Sequence, residues 1–187
     1  MNVLRSGGAV GADQIFDECA RAVSHESLVM SFDGHKISQK VKGKVVIFSD
    51  DDLQEAEIPL LKANKSLKRK IPKDQYVKDL LRRNFFQIKT TERVYAVAPL
   101  NWDFSHLVKG GTGWAVQMAI DRGIPEIYVF DTGPPIGDQA LCHWYKWHSF
   151  GGFRYIDVPP KPYGSYTGIG TRELTETGEK AIRQLYG

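Results

Sequence analysis

The amino-acid sequence predicts an α/β fold, a Rossmann-like parallel sheet flanked by helices. Short apolar runs alternate with helix patterns along the chain, as they do in sheets built from strand–helix units. In addition, three glycine-rich stretches, at 5–13, 110–113 and 168–173, each come between a strand pattern and a helix pattern. Turns of this kind meet at the edge of the sheet where parallel strands end, so one ligand cleft is expected there.

Length and composition are those of one globular domain. The 187 residues are 42% hydrophobic and 25% charged, and a net charge of +3 does not by itself imply nucleic acid. Cys19 and Cys142 are far apart, which favours a reduced cytoplasmic protein over a disulfide scaffold. The sequence shows no leader pattern and no apolar run near the roughly 20 residues of a membrane span, so we expect a soluble protein without a membrane partner.

The first glycine-rich stretch follows the apolar residues Val3 and Leu4 and opens a helix pattern from Ala12 to Val23. Backbone N–H groups in such a turn, with the positive end of the helix dipole, can hold a phosphate. The alternative is that the glycines only permit a tight strand-to-helix corner. The candidate binding residues are Arg5, Ser6, Gly7, Gly8, Ala9, Gly11 and Asp13.

Further elements follow in order along the first half of the chain. Strands are expected at 28–32 and 45–48, and Ser49 to Asp52 supplies an N-cap run for a helix that Pro59 kinks or shortens. A strong helix pattern runs from Asp74 to about Gln87. Its apolar stripe includes Asn84, whose buried amide needs a partner.

The stretch from Lys62 to Lys70 is rich in lysine and arginine. It is interpreted as a solvated connector, with a phosphate-binding or nucleic-acid patch as the alternative. No aromatic residues interleave with the charges to stack bases, which favours the connector.

The second glycine-rich stretch follows a buried strand pattern at 94–98. Gly110, Gly111, Thr112 and Gly113 lead directly into a helix pattern from Trp114 to Ile120. Another strand is expected at 127–130. We predict that the four residues bind ligand and that Trp114 offers an aromatic surface for a base.

From about 131 to 163 the pattern becomes irregular and rich in aromatic residues, which we interpret as an excursion packed on the sheet or a subunit contact. Cys142, His143 and His148 match no closed zinc spacing, and no metal is predicted.

The third glycine-rich stretch lies near the end of the sequence. Gly168, Gly170, Thr171 and Arg172 are candidate ligand residues, and the Arg172 guanidinium could reach a phosphate. A helix is expected from about Thr175 to Tyr186. Because the sequence ends helix–glycine and begins with a strand, the two termini are expected side by side.

Together these motifs resemble the SLOG superfamily of Rossmann-like nucleotide-binding proteins, which includes cytokinin-activating phosphoribohydrolases, the DNA-processing protein DprA and YspA-like phage and bacterial proteins. The matching residues are 4–13, Arg83-Asn84, 110–113 and 168–173. In YspA-like proteins the motif resembling 168–173 comes first. The resemblance therefore implies a circularly permuted SLOG domain over 1–187, apart from roughly 35–70 and 131–163.

The resemblance also bears on chemistry. The phosphoribohydrolases carry a glutamate that serves glycosidic-bond cleavage, and Gln117 stands at the matching position. A glutamine cannot exchange a proton as a carboxylate does. Asp13 and Glu173 are the candidate catalytic residues, with Asp103 as a further carboxylate. Asp13 and Glu173 each have a plain alternative role near a helix start.

The leading functional hypothesis is a non-catalytic binder of an ADP-ribose derivative, an NAD-related molecule or a cyclic nucleotide. By resemblance to phage-borne relatives, it would sequester a defence signal in the host cytoplasm. The alternatives are an N-glycoside hydrolase acting on nucleoside monophosphates and DprA-like nucleic-acid binding. No cofactor beyond the bound nucleotide is expected, and a homo-oligomer is possible in principle.

Overall fold

A computed structural model describes residues 1–102, 107–133 and 142–187. Strands and helices alternate along most of this part of the chain. The strands are β1 (Val3–Ser6), β2 (Glu26–Phe32), β3 (Lys44–Phe48), β4 (Arg93–Val97), β5 (Glu126–Phe130), β6 (Trp144–His148), β7 (Gly152–Ile156) and β8 (Ser165–Gly170). The helices are α1 (Ala12–Ala22), α2 (Asp50–Gln54), α3 (Glu57–Leu67), α4 (Gln75–Ile88), α5 (Gly110–Asp121) and α6 (Glu176–Tyr186).

The strands form one eight-stranded sheet in the order β3-β2-β1-β8-β4-β5-β6-β7. The six strands from β3 to β5 in that order are parallel, while β6 and β7 add an antiparallel hairpin beyond β5. The predicted fold class, a Rossmann-like α/β sheet flanked by helices, is therefore confirmed.

Two hydrophobic clusters cover the faces of the sheet, which is why the central strands are apolar on both sides. In β4, Val94 and Ala96 face the cluster that includes α3, α4 and α5. Tyr95 and Val97 face the cluster formed with α1 and α6. Alternate residues of one strand thus anchor helices on opposite faces.

The helix expected after Ser49 is divided in two. The Ser49 hydroxyl and the Asp52 carboxylate form a capping box that starts α2, which ends after five residues. Pro59 is the third residue of α3. N–H groups in the first turn of a helix make no intrahelical hydrogen bond, so a proline is tolerated there. The interruption therefore lies before the proline.

The segment from 131 to 163 is more regular than its sequence suggests. Its described part contains the hairpin of β6 and β7, which extends the sheet next to β5. Trp144 and Phe153 are buried by this packing. The prediction of an irregular excursion is thus corrected for 142–163, whereas 134–141 lie outside the described residues.

Residues near both ends of the sequence meet on one side of the sheet. The Asn2 amide lies 2.9 Å from His25 Nε2, and the Tyr186 ring centroid lies 6.1 Å from that of His25. Cys19 and Cys142 form no disulfide bond. Within the described residues, no helix is long and apolar enough to cross a membrane, and no three potential metal ligands cluster together.

Candidate functional site

A cleft of about 550 Å³ opens at the carboxyl ends of β1, β8 and β4. From β1 the next strands in sequence, β2 and β3, lie towards one edge of the sheet, whereas from β4 the next strand, β5, lies towards the other. Ligands of α/β proteins bind where the strand order reverses in this way. The lining residues come from the end of β8, from the turns after the three strands, from the first turn of α1, from α4 and from the start of α5. They are Ala9, Asp13, Val77, Leu80, Leu81, Arg83, Asn84, Ala98, Pro99, Lys109, Gly110, Gly111, Thr112, Ile169, Gly170, Thr171, Arg172 and Glu173.

Asp13 organises the turn between β1 and α1. Its Oδ2 accepts hydrogen bonds from the N–H groups of Gly7 at 3.1 Å and Ala9 at 3.3 Å. Its Oδ1 accepts a third from Gly170 N–H at 3.3 Å, which ties this turn to the end of β8. Burial raises the pKa of Asp13, while the Arg83 charge and the three N–H donors oppose that rise.

The first glycine-rich turn is therefore partly filled by the chain's own oxygen atoms. Gly7 and Ala9 donate to Asp13, and the N–H of Ala12 donates to the Thr171 carbonyl at 3.1 Å. Gly11 has a φ of 87°, and a methyl group there would lie 2.4 Å from the Arg172 carbonyl oxygen. Gly11 thus allows this turn to pack against the turn after β8.

The N-terminus of α5 is arranged differently. No side chain caps it, and a Cβ placed on Gly110 or Gly111 would meet no atom within 4 Å. The Asn84 amide donates to the Gly111 carbonyl at 3.2 Å and fixes α4 against this helix start. By contrast, the Thr175 side chain caps α6 by accepting from Gly178 N–H. The predicted helix start at Trp114 is therefore corrected to Gly110, and among the three glycine-rich stretches the one that begins α5 leaves the most open space for an anion.

Arg83 is a buried cation in the cleft wall. The residue is 5% exposed, and its Nε and Nη1 have no hydrogen-bond partner within the part of the chain that the structure describes. Burial lowers the pKa of Arg83, and Asp13 opposes this effect. A methyl group on Gly7 would lie 1.5 Å from Arg83 Nη1, so Gly7 provides the space for the guanidinium.

Two further cations line the cleft, Lys109 and the exposed Arg172. Burial and the charges of Arg83 and Arg172 lower the pKa of His35 to about 4. Glu173 is the exposed carboxylate of the lining, whereas Asp13 is 3% exposed. The cleft therefore combines an excess of positive charge with an apolar wall made by Val77, Leu80, Leu81, Ala98, Pro99 and Ile169.

About half of the residues predicted for the site line the cleft. These are Ala9, Asp13, Asn84, Gly110, Gly111, Thr112, Gly170, Thr171 and Arg172, together with the catalytic candidate Glu173. The residues that do not line it are Arg5, Ser6, Gly7, Gly8, Gly11, Gly113, Trp114 and Gly168.

The residues outside the lining have structural contacts instead. Trp114 is 5% exposed and belongs to the hydrophobic core, so it provides no accessible platform for a base. A Cβ on Gly168 would meet the Phe16 ring at 2.5 Å, and one on Gly8 would meet Val29 at 2.5 Å. Arg5 donates a hydrogen bond to the Ser165 hydroxyl at the start of β8. These positions shape the fold around the cleft.

Gln117 also lies away from the cleft. Its amide donates to Asp121 Oδ1 at 2.9 Å, one turn further along α5. The side chain lines a much smaller cavity of about 50 Å³ with apolar residues that include Trp147 and Phe153. The expectation that Gln117 stands in the cleft in place of a catalytic glutamate is therefore corrected. The identity of this residue does not indicate whether the protein binds its ligand or cleaves it. Asp103, another candidate carboxylate, lies outside the described residues.

Sequence reasoning did not select several residues of the cleft wall. Arg83 belongs to the Arg83-Asn84 motif but is not among the predicted ligand residues, although a cation beside an amide on an apolar helix stripe is itself a signal for a buried polar site. Val77, Leu80 and Pro99 have ordinary apolar patterns, and Lys109 is one lysine among many. Their convergence depends on the tertiary fold.

Fold and site together define a Rossmann-like α/β protein with a cationic cleft at the carboxyl edge of its parallel sheet. Comparison with family models, curated proteins and solved structures found no match for this chain.

Proposed function

We propose that this chain binds a nucleotide-derived small molecule, with its phosphate groups against Arg83, Arg172 and the N-terminus of α5. The observation that carries the proposal is the buried Arg83 guanidinium, whose Nε and Nη1 lack hydrogen-bond partners among the described residues. A buried cation with unused donors is unfavourable unless an anion completes it. The open start of α5 offers further donors on the same cleft.

The size and lining of the cleft fit the rest of such a ligand. A volume of about 550 Å³ lies in the range usual for small-molecule sites. Val77, Leu80 and Pro99 form an apolar surface on which a base can pack. ADP-ribose derivatives, NAD-related molecules and cyclic nucleotides all combine a base with phosphates, and sequestration of such a signal is the role we propose.

Calorimetric titration tests the proposal. We expect AMP, NAD, ADP-ribose or a cyclic nucleotide to bind, and the corresponding nucleoside without phosphate to bind at least about 100-fold more weakly, because charge-assisted hydrogen bonds contribute about 1.5–3 kcal/mol each. Arg172→Ala should weaken phosphate-ligand binding about 10- to 100-fold. Arg154→Ala removes an exposed arginine of β7 and should leave the affinity unchanged. Equal binding of nucleoside and nucleotide would reject the proposal.

A hydrolase that cleaves the base–ribose bond is the second candidate, because the exposed carboxylate of Glu173 lines the cleft. Asp13 is less suited to proton transfer, since both of its oxygens accept backbone hydrogen bonds. We propose binding without turnover as the main function. Multiple-turnover release of free base, abolished by Glu173→Gln and followed by chromatography, would instead establish the hydrolase.

A further inference from the structure

The strand β3 forms one edge of the sheet. It pairs with β2 on one side, and no described strand lies on its other side. Val46 and Phe48 pack towards the hydrophobic core, whereas Val45 is 44% exposed and Ile47 68% exposed. An edge with unpaired backbone groups and exposed apolar side chains is suited to pairing with a further strand.

The opposite edge, β7, carries a feature that discourages such pairing. Arg154 is exposed in the middle of that strand, and the Tyr155 hydroxyl donates to the Asp157 carboxylate just beyond it. Charged side chains within an edge strand oppose association with another strand. In β3 the one charged residue is Lys44 at the first position, and Val45 to Phe48 contain none.

The charges that flank β3 are self-complementary. Lys40, Lys42 and Lys44 precede the apolar part of the strand, and Asp50, Asp51 and Asp52 follow it. Antiparallel pairing of two copies of β3 brings the basic flank of each copy beside the acidic flank of the other. Lys44 is the first residue of β3, and α2 begins at Asp50, two residues after the strand ends. With either Val46 or Ile47 at the two-fold axis, the lysine-rich end of one strand therefore lies beside the aspartate-rich start of α2 in the other copy.

We propose that two copies of this chain associate through antiparallel pairing of their β3 edges, which joins the two sheets into one. Val45 of each copy then lies near Ile47 of the other on the exposed face, and apolar cross-strand pairs of this kind stabilise a sheet. The two-fold axis places the carboxyl edges of the two sheets at opposite ends. Both clefts therefore remain open, and dimer formation is separable from ligand binding.

Sedimentation over about 1 μM to 1 mM protein tests the proposal, since a short strand pairing is expected to have a micromolar dissociation constant. The chain should change from monomer to dimer over this range, and Ile47→Lys should shift the midpoint upward at least about tenfold. The matched variant Tyr155→Lys, on the opposite edge strand, should leave the midpoint unchanged. Circular dichroism checks that both variants are folded.

Charge reversal provides an independent test that does not depend on Ile47. One variant carries Lys42→Glu and Lys44→Glu, and the other carries Asp50→Lys and Asp51→Lys; all four native side chains are exposed. Each variant alone should remain monomeric, because like charges meet at both ends of the paired strands. An equimolar mixture should form the heterodimer, in which both ends are complementary.

A wild-type chain that stays monomeric up to about 1 mM, or a dimer that Tyr155→Lys disrupts and Ile47→Lys does not, would overturn the proposal. So would charge-reversed variants that fail to recover association when mixed. Ile47→Lys should leave calorimetric nucleotide affinity unchanged, so the dimer and the proposed ligand function are tested separately.

Discussion

At the scale of single residues, Gly7 and Arg83 are the pair on which the cleft depends. A Cβ on Gly7 would come within 1.5 Å of Arg83 Nη1, so glycine is needed to admit the buried guanidinium. The missing side chain at Gly7 thus leaves space for the Arg83 guanidinium rather than for a ligand. In the proposed function, the first glycine-rich turn thus acts on the anion through Arg83 rather than by direct contact.

Gly111 provides a direct test of the open helix start. Gly111→Val should fold normally, because its Cβ meets no atom within 4 Å, and the added side chain should obstruct the cleft. We expect nucleotide affinity measured by calorimetry to fall at least about tenfold, a loss of about 1.4 kcal/mol. Thr177→Val, at the second position of the capped helix α6, is the matched control and should bind normally. Unchanged affinity in folded Gly111→Val would contradict phosphate binding at α5.

His35 should report on the charge of the cleft. Burial and the charges of Arg83 and Arg172 lower its pKa to about 4, compared with about 6.5 in an unfolded chain. The unfolded chain therefore binds more protons between these values, and the contribution of His35 to stability is lost as the pH falls from about 6.5 to about 4. Thermal midpoints should fall less steeply over this range in His35→Gln than in the wild type.

A bound phosphate should raise the pKa of His35, because it offsets the two arginine charges that help to lower it. Titration of the imidazole ring protons by NMR, with and without a saturating nucleotide, measures this change. His148 on β6, away from the strand ends that form the cleft, is the internal comparison. A His35 titration that a bound nucleotide leaves unaltered would contradict placement of its phosphate near Arg83 and Arg172.

At the scale of elements, Asp13 joins β1, α1 and β8 through three backbone hydrogen bonds. Asp13→Ala would leave three buried or half-buried N–H groups and the Arg83 charge without their partner. We expect a loss of about 2–5 kcal/mol in the free energy of unfolding, measured in urea. The exposed Asp51→Ala is the control and should change stability little. A stabilised Asp13→Ala protein would show that the burial cost of this carboxylate outweighs its bonds.

The sequence predicts most of the elements because strand and helix patterns depend on neighbouring residues. The strands β1 to β5 and the helices α1, α4, α5 and α6 follow from apolar periodicity, and the Asp74 side chain caps α4 as a local signal suggests. No strand range is predicted for β8, whose glycines are interpreted as a turn. The division between α2 and α3 and the β6–β7 hairpin were not predicted. The hairpin depends on pairing with β5, which the local pattern of aromatic residues does not specify.

At the scale of the whole molecule, strand order and side-chain direction limit what the sequence can predict about the site. Glycine spacing identifies three stretches that approach one edge of the sheet, although 110–113 begin α5 and Gly168 and Gly170 lie in β8. It does not reveal that Asp13 occupies the first turn or that Trp114 is directed into the core. Nor does the glycine spacing predict that Gln117 lies on the side of α5 away from the cleft. These features are set by the way α4 and α5 pack on the sheet.

Contact of Asn2 and Tyr186 with His25 leads to a prediction about the connectivity of the chain. A short glycine-serine linker from Gly187 to Met1, with a new opening between Lys161 and Pro162, should yield a folded protein in which β8 is the first strand. Its far-ultraviolet circular dichroism and nucleotide affinity should match those of the wild type. The control, with the same linker and an opening within buried β4, should not fold. Loss of structure in the first permutant would contradict the side-by-side arrangement.

The central claim is that phosphate groups bind at the start of α5 beside Arg83. An NMR titration of ¹⁵N-labelled protein with ADP-ribose or NAD tests it most directly, because each amide reports on its own surroundings. We predict the largest shifts at the amides of Gly111 and Thr112 and at Arg83 Nε, with smaller shifts at Gly7 and Ala9, whose N–H groups donate to Asp13. Shifts that are absent from α5 and Arg83, or that are confined to the Gly7–Ala9 turn, would contradict the claim.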